Sequence, residues 1–313
     1  MATGVAFGLF AAVCWGIADF CIRGATHAAG SFRTLYFDQL VALLFFAVVI
    51  EPWTPLSFAR TTPLLALAAA GLNLVILVGA ALLYRAFAVG SLSVVSPIAA
   101  SFGAVVTSFA LTFSGERPSV AQLGGIAVTL VGVTLAGMHS DGQRLENAHG
   151  SKRKLTLGKG VPEALLATGI FGVTYWALRY VTPVMGGAQV ALVGKITDII
   201  ALTIVLAVAF AWRRFAEAPA RSQSSATGAM TPFAPRGWRF WVWIVPAGAL
   251  DIAANIAYNI GVASALTSIV VTISSLFSAI TVVLAWIFLR ERLSARQWAG
   301  VALILAGIVL VNI

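Results

Sequence analysis

The sequence predicts an all-α integral membrane protein with ten transmembrane helices arranged as two inverted five-helix repeats. Three observations predict it. Of 313 residues, 60% are hydrophobic and only 10% charged, against about 25% charged in an ordinary soluble domain. The apolar residues gather into stretches that match the roughly 20 helical residues needed to cross about 30 Å of hydrocarbon. The chain also repeats itself about halfway along.

The first five stretches run over 3–23, 34–50, 62–84, 91–113 and 120–138. The second five run over 161–182, 187–212, 239–262, 266–289 and 296–313. Span 34–50 is the shortest, interrupted by Asp38 and Gln39. No basic residue precedes the first apolar run, which predicts an uncleaved helix rather than a signal peptide. Cys14 and Cys21 lie on that helix, too far apart for a disulfide with each other, and read as buried small hydrophobes. Two polar segments interrupt the pattern: a linker at 139–160 and a loop at 213–238 rich in Ala, Ser, Pro and Arg, expected to be mobile. The predicted organisation is a first repeat over 1–138, the linker, and a second repeat over 161–313.

The repeat is clearest at the end of each half. At an offset of about 175 residues, roughly a third of positions match without a gap. GERPSVAQLGG (115–125) falls on RERLSARQWAG (290–300), pairing Glu116 with Glu291, Arg117 with Arg292 and Gln122 with Gln297. Gly125 and Gly132 fall on Gly300 and Gly307, and Gly16–Arg23 corresponds more weakly to Gly172–Arg179. Five spans per half is an odd number, so the second copy must cross the membrane in the opposite sense, as in many secondary transporters. Ser119 with Gln122, and Ser294 with Gln297, fit a helix capping box. Pro118 helps end the preceding helix. The Glu-Arg pair therefore marks a tight helix–helix turn rather than a catalytic site.

The net charge of +9 reflects basic residues in short loops, without the aromatic interleaving of a nucleic-acid surface. Of 20 basic residues, about 16 fall at alternate loops on one side, which by the positive-inside rule faces the cytoplasm and puts both termini outside.

The run LLYRAFAVGSLSVVSPIAASFGAVVTSFALTFSGERPSVAQLGGIAVTLVGVTLAG (82–137) resembles the signature region of the EamA family of the drug/metabolite transporter (DMT) superfamily. CWGIADF (14–20) is similar to the tryptophan-glycine motif of that family's first helix. The resemblance implies ten helices, a central cavity between the halves, and export or exchange of small metabolites, often amino acids. It also implies cytoplasmic termini, opposite to the charge count.

Ionisable side chains inside a span cost about 2.5–3.5 kcal/mol each even on the insertion scale, so each needs a reason. Lys195 and Asp198 are three apart on one helix face, where they are expected to pair or to anchor a substrate. Asp251, Asn255, Tyr258 and Asn259 form one polar stripe, too polar to face lipid. Tyr84 corresponds to Asn259 in the other half, and Asn73 is mid-span in the equivalent helix. These residues, with Trp15 and Trp176 on the first helices of the two halves, are the candidate cavity lining. Asp19, Asp38 and Asp251 are candidate proton carriers, although a shallow ion-pair cluster with Arg23 and Arg33 also accounts for Asp19 and Asp38. Pro97 lies within the fourth span, and its counterpart Thr272 lacks the proline, which predicts a kink in one half only.

The expected function is a secondary transporter of a small metabolite, an amino acid or related compound, exported or exchanged across a bacterial-type inner membrane by alternating access. An ATP-driven pump is disfavoured by the absence of a GxxxxGK[ST] motif. An enzyme is disfavoured because His27, His139 and His149 fall in predicted loops without metal-ligand spacing, and no GxSxG or HExxH is present. A sensor or scaffold without flux is the alternative. No cofactor or metal is expected. The expected partners are a small-molecule substrate and the lipid bilayer, with no nucleic acid, and a monomer suffices.

Overall fold

A computed structural model describes residues 2–51, 61–113, 119–139, 156–217, 237–264 and 267–311. The first half contains α1 (Ala2–Ala29), α2 (Ser31–Phe45, continued by a π-helical turn at Phe46–Ile50), α3 (Pro63–Val89), α4 (Leu92–Ala100), α5 (Phe102–Phe113) and α6 (Val120–Gly137). The second contains α7 (Val161–Leu178), α8 (Thr182–Met185), α9 (Gly187–Glu217), α10 (Trp238–Ser264), α11 (Thr267–Ser275), α12 (Phe277–Leu284, continued at Ala285–Leu289) and α13 (Ala295–Val311). The linker is bracketed by a two-residue antiparallel pair, Met138–His139 (β1) with Thr156–Leu157 (β2). Among the described residues, seven helices are long and apolar enough to cross a membrane. Shorter apolar helices occupy Leu123–Val133, Ile273–Leu289 and Ala295–Leu310. Together these fall on the ten predicted stretches. The 140–155 part of the linker and most of the 213–238 loop lie outside the described residues, as do Glu116, Arg117 and Pro118.

Local chemistry explains several ends. Thr62 accepts the Leu65 N–H at 3.2 Å and Pro63 opens α3 with no N–H to satisfy. The capping box at Ser294 forms as predicted: the Gln297 N–H donates to Ser294 Oγ at 3.3 Å and the Ser294 N–H to Gln297 Oε1 at 3.0 Å. Its counterpart at Ser119 involves the Gln122 side chain, which lies outside the described side chains. The first helix runs past the predicted 3–23 to Ala29, because nothing before Gly30 stops it. His27 is therefore in a helix, not a loop.

The packing maps onto itself when the halves are exchanged. α1 packs on α10, and α7 on α3; α2 packs on α10, and α9 on α3. α6 and α13 pack on each other, and α4–α5 runs against α12–α11 in antiparallel order. The match extends to single residues. Gly16 lies against the Phe277 carbonyl and Ile280, and Gly172 against the Phe102 carbonyl and Val105, which are equivalent at the repeat offset. Gly132 faces the Gly300 carbonyl while Gly307 faces that of Gly125. Gly30 and Gly186, which precede the equivalent helices α2 and α9, share positive φ of 85° and 97°. Direction is inverted as expected. Arg23, near the end of α1, donates to the Phe87 carbonyl at the end of α3, and Gly160, at the start of α7, rests on Ala86. So α7 begins at the face where α1 finishes.

The Pro97 expectation is corrected here. Both fourth-position helices break, at Ser101 and at Leu276, equivalent residues with nearly identical backbone angles (φ −66°, ψ −3°; φ −67°, ψ −4°). Proline is therefore not the cause. The break is a single turn of i→i+3 bonding, with the Ala104 N–H donating to Ser101 O and the Ala279 N–H to Leu276 O, both at 3.0 Å. Buried hydroxyls add acceptor and donor capacity around it: Thr168 and Ser101 both donate to the Ile98 carbonyl, at 2.8 and 2.6 Å.

The Glu-Arg turn also does more than predicted. Glu291 reaches across to the first half and caps α4. Its carboxylate accepts the Ser91 and Ser93 hydroxyls at 2.7 Å each and the Leu92 and Ser93 N–H groups at 3.1 and 2.9 Å. Partial burial opposes its ionisation, but these four bonds prevail and hold its pKa below the usual 4.5. The clasp is therefore at full strength above that value and is lost only as pH falls through the depressed one.

The close approach of α6 and α13 is a measurable constraint. A Cβ at Gly132 would lie 2.7 Å from Ile304 N and 2.8 Å from Gly300 O, both rigid backbone atoms, whereas one at Gly124 meets nothing within 4 Å. Gly132→Leu is expected to destabilise the protein by about 1–3 kcal/mol or more, read as a lowered unfolding midpoint in mixed micelles. Gly124→Leu should leave it nearly unchanged.

Candidate functional site

Most of the acidic, amide and lysine side chains sunk in the spans converge on one cavity between the halves. It holds about 120 Å³ of space open to the centres of water molecules, against roughly 10–15 Å³ for a single water. Several waters or a small organic molecule fit.

One wall is polar. Asp251, Asn255 and Asn259 line it from α10, and Lys195 and Asp198 from α9. Lys195 Nζ donates to Asp251 Oδ2 and to Gln39 Oε1, each at 2.7 Å. Asn255 Nδ2 donates to Asp251 Oδ1 at 3.0 Å, and the Tyr175 hydroxyl to Asn255 Oδ1 at 3.3 Å. This corrects the expected Lys195–Asp198 pairing: the lysine instead crosses to the facing helix. Asp198 Oδ1 is buried with no hydrogen-bond partner. Gly194 lets α9 lie close against α3, since a Cβ there would clash with Asn73 Oδ1.

The lining contributed by α3 is more apolar. At the positions equivalent to Asp251 and Asn255, α3 carries Ile76 and Ala80, which also line the cavity. Tyr84, equivalent to Asn259, lines it too, and its hydroxyl donates to Asp38 Oδ2 at 2.8 Å. Asn73 lines it with its amide turned onto its own helix, donating to the Ala69 carbonyl at 2.8 Å. The helix breaks aim Phe102 and Phe277 inward, beside Trp15, Phe171 and Tyr175. Trp15 stands 6.0 Å from Phe277 and 6.4 Å from Tyr175, centroid to centroid, and Tyr175 stands 5.4 Å from Phe102.

Asp19 and Asp38 are not in a shallow cluster with Arg23 and Arg33. Both are buried. Asp19 lines the cavity and accepts from Ser96 Oγ at 3.1 Å, while Asp38 sits behind Tyr84 with Oδ1 unpartnered. Two further predicted residues stand elsewhere. Tyr258 is packed behind the wall, 5.5 Å from Trp15 and 5.2 Å from Tyr175. Trp176 is on the flank with Phe109 and Phe113, the place that Phe20 and Phe288 occupy in the other half. The residue equivalent to Trp15 is Phe171.

Gln39, Phe102, Phe171, Tyr175 and Phe277 escaped the sequence reading. The repeat offers a signal for four of them: Phe102 pairs with Phe277, Phe171 with Trp15, and Gln39 with Lys195, the very residue it bonds. No pattern of apolar residues marked the aromatic ones as facing water.

The profile of the EamA-like transporter family matches residues 2–138 and 224–313. The chain belongs to the EamA-like transporter family. It is accordingly a multi-span membrane protein of a transporter family, of the DMT type, as the resemblance in 14–20 and 82–137 implied. A solved crystal structure superposes over 99% of this chain and 96% of its own with a TM-score of 0.61. At 15% identity that likeness shows the fold alone. A search of curated proteins gives no match.

In this EamA-family chain the Lys195–Asp251 pair is nearly buried, with side chains 10% and 18% exposed. Removing one partner of such a pair leaves an uncompensated charge, at a cost of about 3–5 kcal/mol. Lys195→Met is therefore expected to lower stability by about that amount, and adding Asp251→Leu to recover most of it. Denaturant titration of the single and double variants checks this.

Proposed function

We propose that the chain is a secondary transporter that moves a small metabolite, an amino acid or related compound, across the cytoplasmic membrane by alternating access, as an exporter or exchanger. The observation that carries this reading is the cavity itself. It lies between two oppositely oriented halves, holds four ionised-type side chains, and is bordered by the breaks in α4–α5 and α11–α12. Discontinuous helices at a repeat interface are where secondary transporters bind substrate. The two repeats, 1–138 and 161–313, are the units that rock against each other around that site. Trp15, Asn73, Tyr84, Lys195, Asp198, Asp251, Asn255 and Asn259 face the ligand, and Asp19, Asp38 and Asp251 are the groups able to carry a coupling proton. Trp176 and Tyr258 support the wall from outside.

The Glu291 clasp fits this reading. It ties the 290–294 turn of one half to the start of α4 in the other, at one face of the bundle, so opening that face separates Glu291 from Ser91 and Ser93.

Liposomes containing the purified chain and loaded with unlabelled amino acids test the proposal by counterflow. Labelled substrate is expected to accumulate inside. Asp251→Asn should slow it about tenfold or more, a rise of about 1.4 kcal/mol in the barrier. No flux of any amino acid, nucleoside or amine in a folded preparation contradicts the proposal.

A further inference from the structure

The charges of the cavity do not balance. Asp19, Asp198 and Asp251 line it, from α1, α9 and α10, with Lys195 the cation among the lining residues. Lys195 is committed to Asp251 and Gln39. Behind Tyr84, Asp38 adds a further carboxyl from α2. Asp198 lines this space, is 5% exposed, and has Oδ1 buried with no hydrogen-bond partner. A buried carboxylate without a counter-charge costs several kcal/mol, so the space calls for a proton or a cation.

The surroundings decide what kind of cation. Among the described residues, no group of three or more His, Cys, Asp or Glu is placed to hold a metal ion. Instead the carboxylates share the cavity with Trp15, Phe102, Tyr175 and Phe277, and with Ile76 and Ala80 of α3. Aromatic faces attract an organic cation and bury its carbon body at the same time. A charged end on the carboxylates and an apolar body among the rings describe one molecule.

We propose that the cavity recognises its ligand through an ammonium group seated on Asp198, with Asp19 as the second acceptor and the aromatic wall around the ligand's apolar body. The substrate class is an amine-bearing compound with an apolar or aromatic side, and recognition does not depend on a carboxylate. Two N–H groups of Lys195 are already used, which leaves the lysine a positioning role for Asp251. This inference rests on the proposed function for the word substrate, but the binding it describes is measured without transport.

The test is calorimetric titration of the purified full chain near neutral pH with three probes of one shape: 2-phenylethylamine, 2-phenylethanol and 3-phenylpropanoate. The amine is expected to bind at least about tenfold more tightly than the alcohol, as a charge-assisted hydrogen bond is roughly twice as strong as a neutral one, and the acid weakest. Asp198→Asn should erase the amine's advantage. Equal binding of all three, tightest binding of the acid, or no binding of the amine overturns the proposal, and the wild-type series decides this even if the variant fails to fold. Amine binding without flux in liposomes removes the transport reading and leaves this one standing. Flux of a labelled amino acid that the free amine neither binds nor competes with does the reverse.

Discussion

Hydrocarbon accepts no hydrogen bonds, and that constraint organises this chain. Every backbone group and every charge within the spans has to be matched inside the bundle. Helices match their own backbones, which leaves the side chains of Asp19, Asp38, Lys195, Asp198 and Asp251 and the two helix breaks. All of these turn inward. Asp19 takes a hydroxyl from Ser96, Asp38 one from Tyr84, and Lys195 is shared by Asp251 and Gln39. The cavity is where this matching is incomplete, and incompleteness is what a ligand site requires.

A symmetric frame carries an asymmetric lining. Glycines at Gly16, Gly172, Gly132 and Gly307 bring equivalent helices to equivalent contact, so the backbone of one half repeats that of the other with reversed direction. Small residues serve this purpose in lipid, where packing rather than water expulsion drives helix association. On that frame, the place of Asp251 is taken in the other half by Ile76 and that of Asn255 by Ala80. The duplication supplies two ways of packing the same elements, and the divergence of the lining gives the cavity a polar side and an apolar side. Gln39 and Lys195, polar residues at the same place in the two halves, meet and bond.

The spans were legible because hydropathy and length are properties of the chain alone. The capping box at Ser294 was legible because its partners are three residues apart. The depth of Asp19 and Asp38 was not: nearby Arg23 and Arg33 suggested a surface cluster, and only the third dimension brings Ser96 and Tyr84 to them. The partner of Lys195 was misread for the same reason, since helical spacing favours Asp198 while the facing helix offers Asp251. The break at Leu276 has no proline to announce it. Its signal was the repeat: the break at Ser101 implied an equal one at the equivalent position. Aromatic lining residues such as Phe277 look like core in any apolar sequence, and only the cavity distinguishes them.

The central claim is that the space between the halves is wet and reaches each side of the membrane in turn. The most direct measurement is labelling of a single cysteine at Ala80→Cys, in a Cys14→Ala, Cys21→Ala background, with a charged, membrane-impermeant thiol reagent applied from either side. Ala80 lines the cavity, whereas fully buried Ala86 does not and serves as the comparison site. The account predicts that the cysteine at 80 reacts from both sides and the one at 86 from neither. Reaction at 80 from one side alone, or from neither, contradicts it.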